Sequence, residues 1–274
     1  MPNAINAHEA STLKILVLAT TGAGKTTQFL TLPGKKFMYL FDPNGILSLQ
    51  GYDVDYEEFL PDVMNLDVKS LDKEVKKASA PTMKRTNTDV YRRWEEDFES
   101  KIESGFFNDY DWIGMDSFTT LSDMVMDEVL RINNRPDSWP NQDDYGPQML
   151  TLKNIVRTMT SLGKNIYFTG HIEMKQDELT KRIYNTPIMT GRLKATLPLL
   201  FSEIFVLEVV SDGKGAVEYT IQTKPTRDTP LIRTSMKGLE IFENVSINFN
   251  EPVEGQGLGG IINWSRKQKG LNNG

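Results

Sequence analysis

The sequence has no cysteine among its 274 residues. Disulfide frameworks and thiolate metal sites are therefore excluded. Histidine is almost as scarce, because only His8 and His171 occur, which is too few for a histidine-rich metal site. No apolar run approaches the roughly 20 residues that a helix needs to cross a bilayer. The polar N-terminus lacks the layout of a signal peptide. We therefore expect a soluble, cytoplasmic protein with no membrane partner.

An excess of positive charge is also missing, since the formal net charge is -6. This argues against a simple DNA-coating protein, although local basic patches could still contact nucleic acid. With 39% hydrophobic and 25% charged residues, the composition is that of a globular protein. We predict a flexible arm at 1–12, a core at 13–249 that carries a surface insertion and helix at 66–105, and a flexible tail at 250–274.

Short apolar segments alternate with helical patterns along the first two-thirds of the chain. Strands are predicted at 14–20, 36–42, 110–116 and 164–171, and helices at 118–133 and 149–162. An amphipathic helix is indicated by apolar residues spaced four apart, at Val90, Trp94, Phe98 and Ile102. Two later strands flank a glycine turn at 212–215 and predict a hairpin. The fold class is therefore α/β, with a mostly parallel central sheet flanked by helices and late antiparallel strands. The stretch 173–190 is predicted to be mobile.

A phosphate-binding loop is predicted where the first strand ends. The segment ATTGAGKT, residues 19–26, follows an apolar strand and precedes a helix. Glycines allow backbone N–H groups to turn toward a phosphate, Lys25 reaches the β- and γ-phosphates, and the Thr26 hydroxyl can bind Mg²⁺. The predicted nucleotide-binding residues are Thr21, Gly22, Ala23, Gly24, Lys25, Thr26 and Thr27. The alternative is a glycine turn that only packs the helix on the strand.

Two further polar residues follow predicted strands and are expected at the same sheet edge. Asp116 ends WIGMD and is a candidate metal carboxylate that acts through water; the alternative is that Asp116 or Ser117 caps the next helix. His171 follows NIYFTG and either senses the γ-phosphate or forms a structural hydrogen bond. The sequence contains neither the guanine-reading Asn-Lys-x-Asp motif nor the protein-kinase His-Arg-Asp motif, so we expect ATP as the nucleotide.

Six segments occur in an order and spacing that resemble phage-encoded RecA-like ATPases of the single-strand-annealing type. They are the P-loop, FMYLFDPNGILSL, YDWIGMDSFTTL, QDDYGPQM, NIYFTGH and TGRLKATLP, and the resemblance covers roughly residues 13–234. It implies a RecA-like core, Mg²⁺ and ATP, and self-assembly into a ring or filament. It also implies action on single-stranded DNA during recombination in the phage-infected host, with a phage single-strand-binding protein as a candidate partner. By position, Lys25, Thr26 and Asp116 would hold phosphate and magnesium, and His171 would sense the γ-phosphate.

The chain departs from this family at the expected catalytic glutamate, where it has Asn44. Asparagine can orient a water but cannot accept its proton at neutral pH. Either Asp42 or another carboxylate such as Glu173 substitutes, or hydrolysis is slow. Asp42 could equally be a turn residue before Pro43.

Other basic residues are candidates for contacts between subunits or with DNA. Arg227, with Lys224 and Arg233, lies where such ATPases complete a neighbour's site; the alternative is surface charge. DNA contacts are predicted at Lys175, Lys181, Arg182, Tyr184, Trp264, Arg266, Lys267 and Lys269. Two rival functions are a P-loop switch that organises a protein partner without DNA, and a small-molecule kinase.

Overall fold

The computed structural model describes residues 12–60, 89–136, 138–189, 191, 193–211, 213, 215 and 217–268. His8, most of the predicted arm, residues 66–88 of the predicted insertion and Lys269 lie outside these ranges. The strands are β1 (Lys14–Ala19), β2 (Lys36–Leu40), β3 (Asp55–Glu58), β4 (Trp112–Asp116), β5 (Asn165–Gln176), β6 (Ile183–Pro187), β7 (Glu203–Ser211), β8 (Val217–Gln222) and β9 (Phe242–Asn244). The helices are α1 (Lys25–Leu30), α2 (Gly45–Leu49), α3 (Val90–Glu103), α4 (Phe118–Ile132), α5 (Tyr145–Ser161), α6 (Leu193–Thr196) and α7 (Gly257–Gln268).

The sheet has the order β3-β2-β4-β5-β1-β7-β8-β9, and β6 pairs with the outer part of β5. The first six strands of this order, from β3 through β2, β4, β5 and β1 to β7, are parallel. Strands β8, β9 and β6 are antiparallel to their neighbours. This arrangement confirms the predicted α/β class with a mostly parallel sheet and late antiparallel strands. One strand, β5, separates β1 from β4, and this order decides which side chains meet at the sheet edge.

Both faces of the sheet are covered, because the central strands are apolar on both sides. In β1, Leu16 and Leu18 face one cluster of buried residues, and Ile15 and Val17 face the other. Helices α3, α4 and α5 pack on the first face, while α1 and α7 pack on the second. Continuous burial of this kind is usual for parallel strands that helices connect.

The predicted amphipathic helix is confirmed as α3, and its apolar stripe faces the core. Val90, Trp94 and Phe98 are each at most 5% exposed, and they pack in the first cluster of buried residues. Lys101 on the same helix forms ion pairs with Glu57 and Asp97. The apolar stripe therefore makes α3 part of the core, while its charged residues face outward or form ion pairs.

The prediction of a flexible C-terminal tail is wrong for residues 257–268, which form α7. Leu258 and Ile262 are fully buried against the second face of the sheet. The backbone N–H of Gly259 donates to the Thr31 hydroxyl over 2.9 Å, and a Cβ at Gly259 would lie 1.8 Å from the Thr31 carbonyl oxygen. The glycines that suggested disorder therefore allow α7 to approach α1 closely.

The stretch predicted to be mobile, 173–190, contains a β-hairpin. Strand β5 continues to Gln176 and pairs with β6 from Ile172↔Pro187 to Gln176↔Ile183. The Asp177 carboxylate accepts hydrogen bonds from the backbone N–H groups of Leu179 and Thr180, which closes the turn. Strand β5 thus joins the sheet edge at His171 directly to a projecting hairpin.

The segment QDDYGPQM, one of the six that carry the resemblance, contains a structural carboxylate, Asp144. Asp144 is fully buried and accepts hydrogen bonds from Arg135 (2.6 Å), the Asn133 side chain (2.8 Å) and the Asn141 backbone N–H (2.6 Å). Burial by itself would raise the pKa of Asp144, but these hydrogen bonds hold it below its usual range. The carboxylate therefore fastens the loop between α4 and α5.

We expect Asp144→Ala to destabilise the fold by about 3 kcal/mol at pH 7, because it leaves Arg135 without its buried partner. Urea unfolding measures this, with Asp143→Ala as the control because Asp143 is exposed. A carboxylate with a lowered folded-state pKa contributes stability that is lost as the pH falls through that pKa. The difference between wild type and Asp144→Ala should therefore shrink below pH 4. Equal unfolding midpoints for wild type and Asp144→Ala at pH 7 would contradict this role.

Candidate functional site

The predicted phosphate loop connects the end of β1 to the start of α1. Gly22 and Gly24 have φ angles of 79° and 88°, in the left-handed region that favours glycine. Helix α1 begins at Lys25, directly after Gly24. The loop therefore has the strand–turn–helix context that a phosphate-binding loop requires.

Lys25 lies inside the loop and not on its surface, since only 7% of the residue is exposed. Its Nζ donates to the Thr20 carbonyl over 3.0 Å and lies 3.4 Å from both the Ala19 carbonyl and His171 Nδ1. Burial lowers the pKa of Lys25, while the carboxylates of Asp116 and Asp42 act against this shift. The ammonium group is thus held at the sheet edge, next to two carboxylates.

Thr26 and Asp116 bring two oxygen ligands together. The Thr26 hydroxyl donates to Asp116 Oδ2 over 2.5 Å, and the Thr169 hydroxyl donates to Asp116 Oδ1. Burial raises the pKa of Asp116, which is 3% exposed, while the hydrogen bonds from Thr169 and Thr26 oppose this. A hydroxyl and a carboxylate are oxygen donors of the kind that Mg²⁺ takes together with water and phosphate. The donor set therefore fits Mg²⁺.

The N-cap of α4 is Ser117 and not Asp116. The Ser117 hydroxyl accepts a hydrogen bond from the Thr120 backbone N–H at the start of α4. In the described part of the chain, no group of three or more His, Asp or Glu side chains could hold a metal alone. A magnesium ion at Thr26 and Asp116 would therefore depend on phosphate and water for its other ligands.

Asp42 and His171 complete the cluster from two other strands. His171 Nε2 lies 3.6 Å from Asp42 Oδ2, and the Thr120 hydroxyl donates to Asp42 Oδ1. Burial would raise the pKa of Asp42, but hydrogen bonds from His171, Thr120 and Ser117 hold it below its usual range. A proton on Nε2 suits both neighbours, because Nδ1 can then accept from Lys25 while Nε2–H faces Asp42. The ring therefore links the P-loop lysine to the β2 carboxylate.

Sheet register explains why these side chains meet. Ala19 of β1 pairs with His171 of β5, and Leu40 of β2 pairs with Asp116 of β4. The four strands are parallel, so their carboxyl ends lie at one edge, where ligands of such sheets bind. The structure thus brings together Lys25, Thr26, Asp42, Asp116 and His171.

Other candidate residues lie apart from this cluster. Asn44 is exposed, has a φ of 69° and precedes α2. Glu173 is on the hairpin, where it pairs with Lys175 at 2.9 Å and Lys194 at 3.3 Å.

Arg227, Lys224 and Arg233 are exposed residues beyond β8. The turn that carries Arg227 is held by the buried Gln222 side chain, which donates to the Lys224 carbonyl over 2.8 Å. Arg227 is therefore presented outward on an ordered turn.

Sequence reasoning missed three threonines that hold the cluster. Thr169 binds Asp116, Thr120 binds Asp42, and the Thr119 hydroxyl accepts from the His171 backbone N–H over 3.1 Å. Thr169 lies two residues before His171, and Thr119 and Thr120 lie in the first turn of the helix after Asp116. Their closeness to candidate residues in the sequence was the available signal.

This fold and this edge of the sheet define a P-loop nucleotide-binding protein. The chain belongs to the AAA_24 family, described as an AAA domain, whose model matches residues 11–230. The family is one of P-loop ATPases. No curated protein matches the sequence. None of the helices in the described ranges is long and apolar enough to span a membrane.

Two solved structures illustrate the similarity to known folds. A KaiC-like protein from the archaeon Pyrococcus horikoshii OT3 is 12% identical, with 85% of each chain covered and a TM-score of 0.40. A prototypical ATPase from the type III secretion system of pathogenic bacteria is 11% identical, with a TM-score of 0.36. In that comparison 72% of this chain and 52% of the other are covered.

Proposed function

We propose that this protein is a Mg²⁺-dependent ATPase that passes the state of its nucleotide to the β5–β6 hairpin and acts on single-stranded DNA in phage recombination. The convergence of Lys25, Thr26, Asp116, Asp42 and His171 at one sheet edge is the observation that carries the ATPase part. Phosphoryl transfer to water requires groups of these kinds. A carboxylate and a hydroxyl bind the metal, a lysine binds phosphate, and a second carboxylate lies near the lysine.

Each residue has a role that follows from its position. The loop N–H groups and Lys25 bind the phosphates. Thr26 and Asp116 would hold Mg²⁺, which would neutralise negative charge on the phosphates. Asp42 is the remaining carboxylate of the cluster and accepts a proton from the attacking water, taking the place of the glutamate that Asn44 replaces. Because the hydrogen bonds that lower the pKa of Asp42 make it a weak base, slow hydrolysis is expected.

His171 is the residue through which the site reaches the rest of the molecule. Its ring lies 3.4 Å from Lys25 Nζ, and its strand continues without interruption into the hairpin. A phosphate that draws Lys25 away from the loop carbonyls would change the contact that holds this ring. The hairpin is therefore the proposed output element for ATP binding.

Basic side chains on the hairpin support contact with nucleic acid. They are Lys175, Lys181 and Arg182, and Tyr184 lies across from Lys175 in the strand register. Lys175 and Arg182 also form ion pairs, with Glu173 at 2.9 Å and Asp228 at 3.4 Å. Binding of DNA phosphates would have to compete with these pairs, so a steep salt dependence is expected.

A second candidate function, a switch that acts on a protein partner, is favoured by apolar exposure on the same hairpin. Leu179 is 94% exposed, Met174 78% and Ile183 58%. Exposed apolar side chains grouped on one projecting element are typical of protein contact surfaces. Self-assembly through this hairpin or through Arg227 on a neighbouring subunit is part of the same proposal.

Two assays distinguish these functions: one measures phosphate release from ATP, and the other measures binding of labelled single-stranded DNA. We expect release that requires Mg²⁺ and rises when DNA is added, and DNA binding with an ATP analogue that weakens steeply with salt. The double variant Lys181→Ala and Arg182→Ala should weaken DNA binding. A second double variant changes Arg266 and Lys267 of α7, the other predicted DNA contacts, to Ala. Point changes are used there because a truncation would remove a helix that packs on the core.

The outcomes separate the parts of the proposal. If the wild type hydrolyses ATP but does not bind DNA even at low salt, the DNA function is wrong and the protein-partner function replaces it. If only the α7 variant loses binding, the DNA site lies on α7. Absence of Mg²⁺-dependent phosphate release would refute the ATPase assignment itself.

A further inference from the structure

A cavity of about 220 Å³ opens beside the phosphate loop, on the side away from Asp116 and His171. Its floor is formed by the phosphate-loop and α1 residues Gly22, Gly24 and Thr27. Its wall includes Val217, Tyr219 and Phe249. In the sheet, β4 and β5 lie on one side of β1, while β7, β8 and β9 lie on the other. The metal and γ-phosphate residues are on the first side, so the cavity lies on the second.

We propose that this cavity binds the base of the nucleotide by apolar packing and discriminates only weakly between adenine and guanine; the inference rests on the proposed nucleotide site. Lys25 and Thr26 place the terminal phosphates toward β4 and β5. The α-phosphate, sugar and base then extend past Thr27 toward β8. The cavity is smaller than the roughly 300–1,000 Å³ of sites for drug-sized ligands, which is appropriate for a base alone.

Tyr219 forms the part of the wall nearest the phosphates. A Cβ built on Gly24 would lie 3.7 Å from the Tyr219 ring, so the ring rests directly on the phosphate loop. Ile247 and Phe249 continue the apolar wall, and Phe249 is 60% exposed. An aromatic ring beside the loop and an exposed aromatic further out form a surface on which a planar base can pack.

Two polar side chains that line the cavity, Ser246 and Gln28, are engaged in holding the wall together. The Ser246 hydroxyl accepts from the Tyr219 backbone N–H over 3.0 Å. The buried Gln28 side chain donates to the Val245 carbonyl over 2.8 Å and accepts from the Leu258 backbone N–H over 2.9 Å. These bonds fix the wall to α1 and α7.

Packing on an apolar surface recognises every base, because each base has a flat face. This explains the expected weak discrimination between adenine and guanine.

Binding measured by calorimetry for ATP, GTP and inorganic tripolyphosphate, each with Mg²⁺, tests this proposal. Wild type should bind ATP and GTP within about fivefold of each other, and both more tightly than tripolyphosphate. Tyr219→Ala should weaken both nucleotides about tenfold or more and leave tripolyphosphate unchanged, since stacking energies on aromatic rings correspond to losses of this size. Tyr219→Phe keeps the ring and should bind like the wild type. Phe242→Ala is the control, because Phe242 is a half-exposed aromatic on β9 outside the cavity.

The outcomes distinguish the base site from the phosphate site. Equal affinity of wild type for ATP and tripolyphosphate would overturn the base site and leave the phosphate site intact. A loss of tripolyphosphate binding in Tyr219→Ala equal to its loss of ATP would also overturn it, because Tyr219 would then act through the loop. A preference for ATP over GTP above a hundredfold would overturn weak discrimination. If wild type binds none of the three, the nucleotide site and the base site are both wrong.

Discussion

Replacing Lys25 by methionine should abolish the stabilisation that ATP gives to the wild-type protein. A ligand at about a hundred times its dissociation constant adds roughly 2.7 kcal/mol to the free energy of unfolding, which is about 5–10 °C in melting temperature for a chain of this size. In Lys25→Met the shift should vanish, because the ammonium group supplies the charge that meets the β- and γ-phosphates. Thermal unfolding with and without Mg²⁺ and ATP measures both shifts.

Each variant must be compared with its own nucleotide-free melting temperature, because Lys25 is 7% exposed and hydrogen-bonded to the loop. Methionine keeps the apolar stem of the side chain and removes only its charge and hydrogen bonds. An ATP-induced shift in Lys25→Met as large as that of wild type would refute the nucleotide assignment.

Replacing Asp42 by asparagine should lower kcat for ATP hydrolysis by about 10²–10⁴, the usual contribution of a general base. Asp42 is the carboxylate that the structure places beside His171 and near Lys25, and asparagine preserves its shape without accepting a proton. ATP binding should change little, because Asp42 does not belong to the phosphate loop. Steady-state phosphate release gives kcat, and the ATP-induced melting shift shows whether binding is retained.

Asn44→Glu is the informative comparison for Asp42. Asn44 has a left-handed backbone that asparagine tolerates better than glutamate, and it is exposed. We expect Asn44→Glu to have much less effect on kcat than Asp42→Asn. If Asn44→Glu raises hydrolysis strongly while Asp42→Asn leaves it unchanged, Asp42 is a turn residue and the missing carboxylate belongs at position 44.

Local patterns in the sequence were sufficient for the phosphate loop and most of the sheet. A glycine turn that ends in Gly-Lys-Thr between an apolar strand and a helix is defined by adjacent residues, so its structure follows from short-range geometry. The strands carrying Asp116 and His171 were likewise predicted from short apolar runs, and parallel strands place their carboxyl ends at one edge. The helix α3 and its apolar face followed from apolar residues four apart.

Contacts between distant segments were decided only by the tertiary structure. Whether Asp42 joins His171 depends on the order of β2, β4, β5 and β1, which no local pattern states. The glycines of α7 resembled a flexible tail because their close contact with Thr31 involves a residue more than 200 positions away. Tyr219 reaches the phosphate loop for the same reason, since β8 returns beside β7. The sequence alone determined the phosphate loop, the central strands β1, β2, β4 and β5, and the helices α3, α4 and α5. Packing of residues far apart in the chain decided α7, the pairing of the carboxylates and threonines, and the cavity.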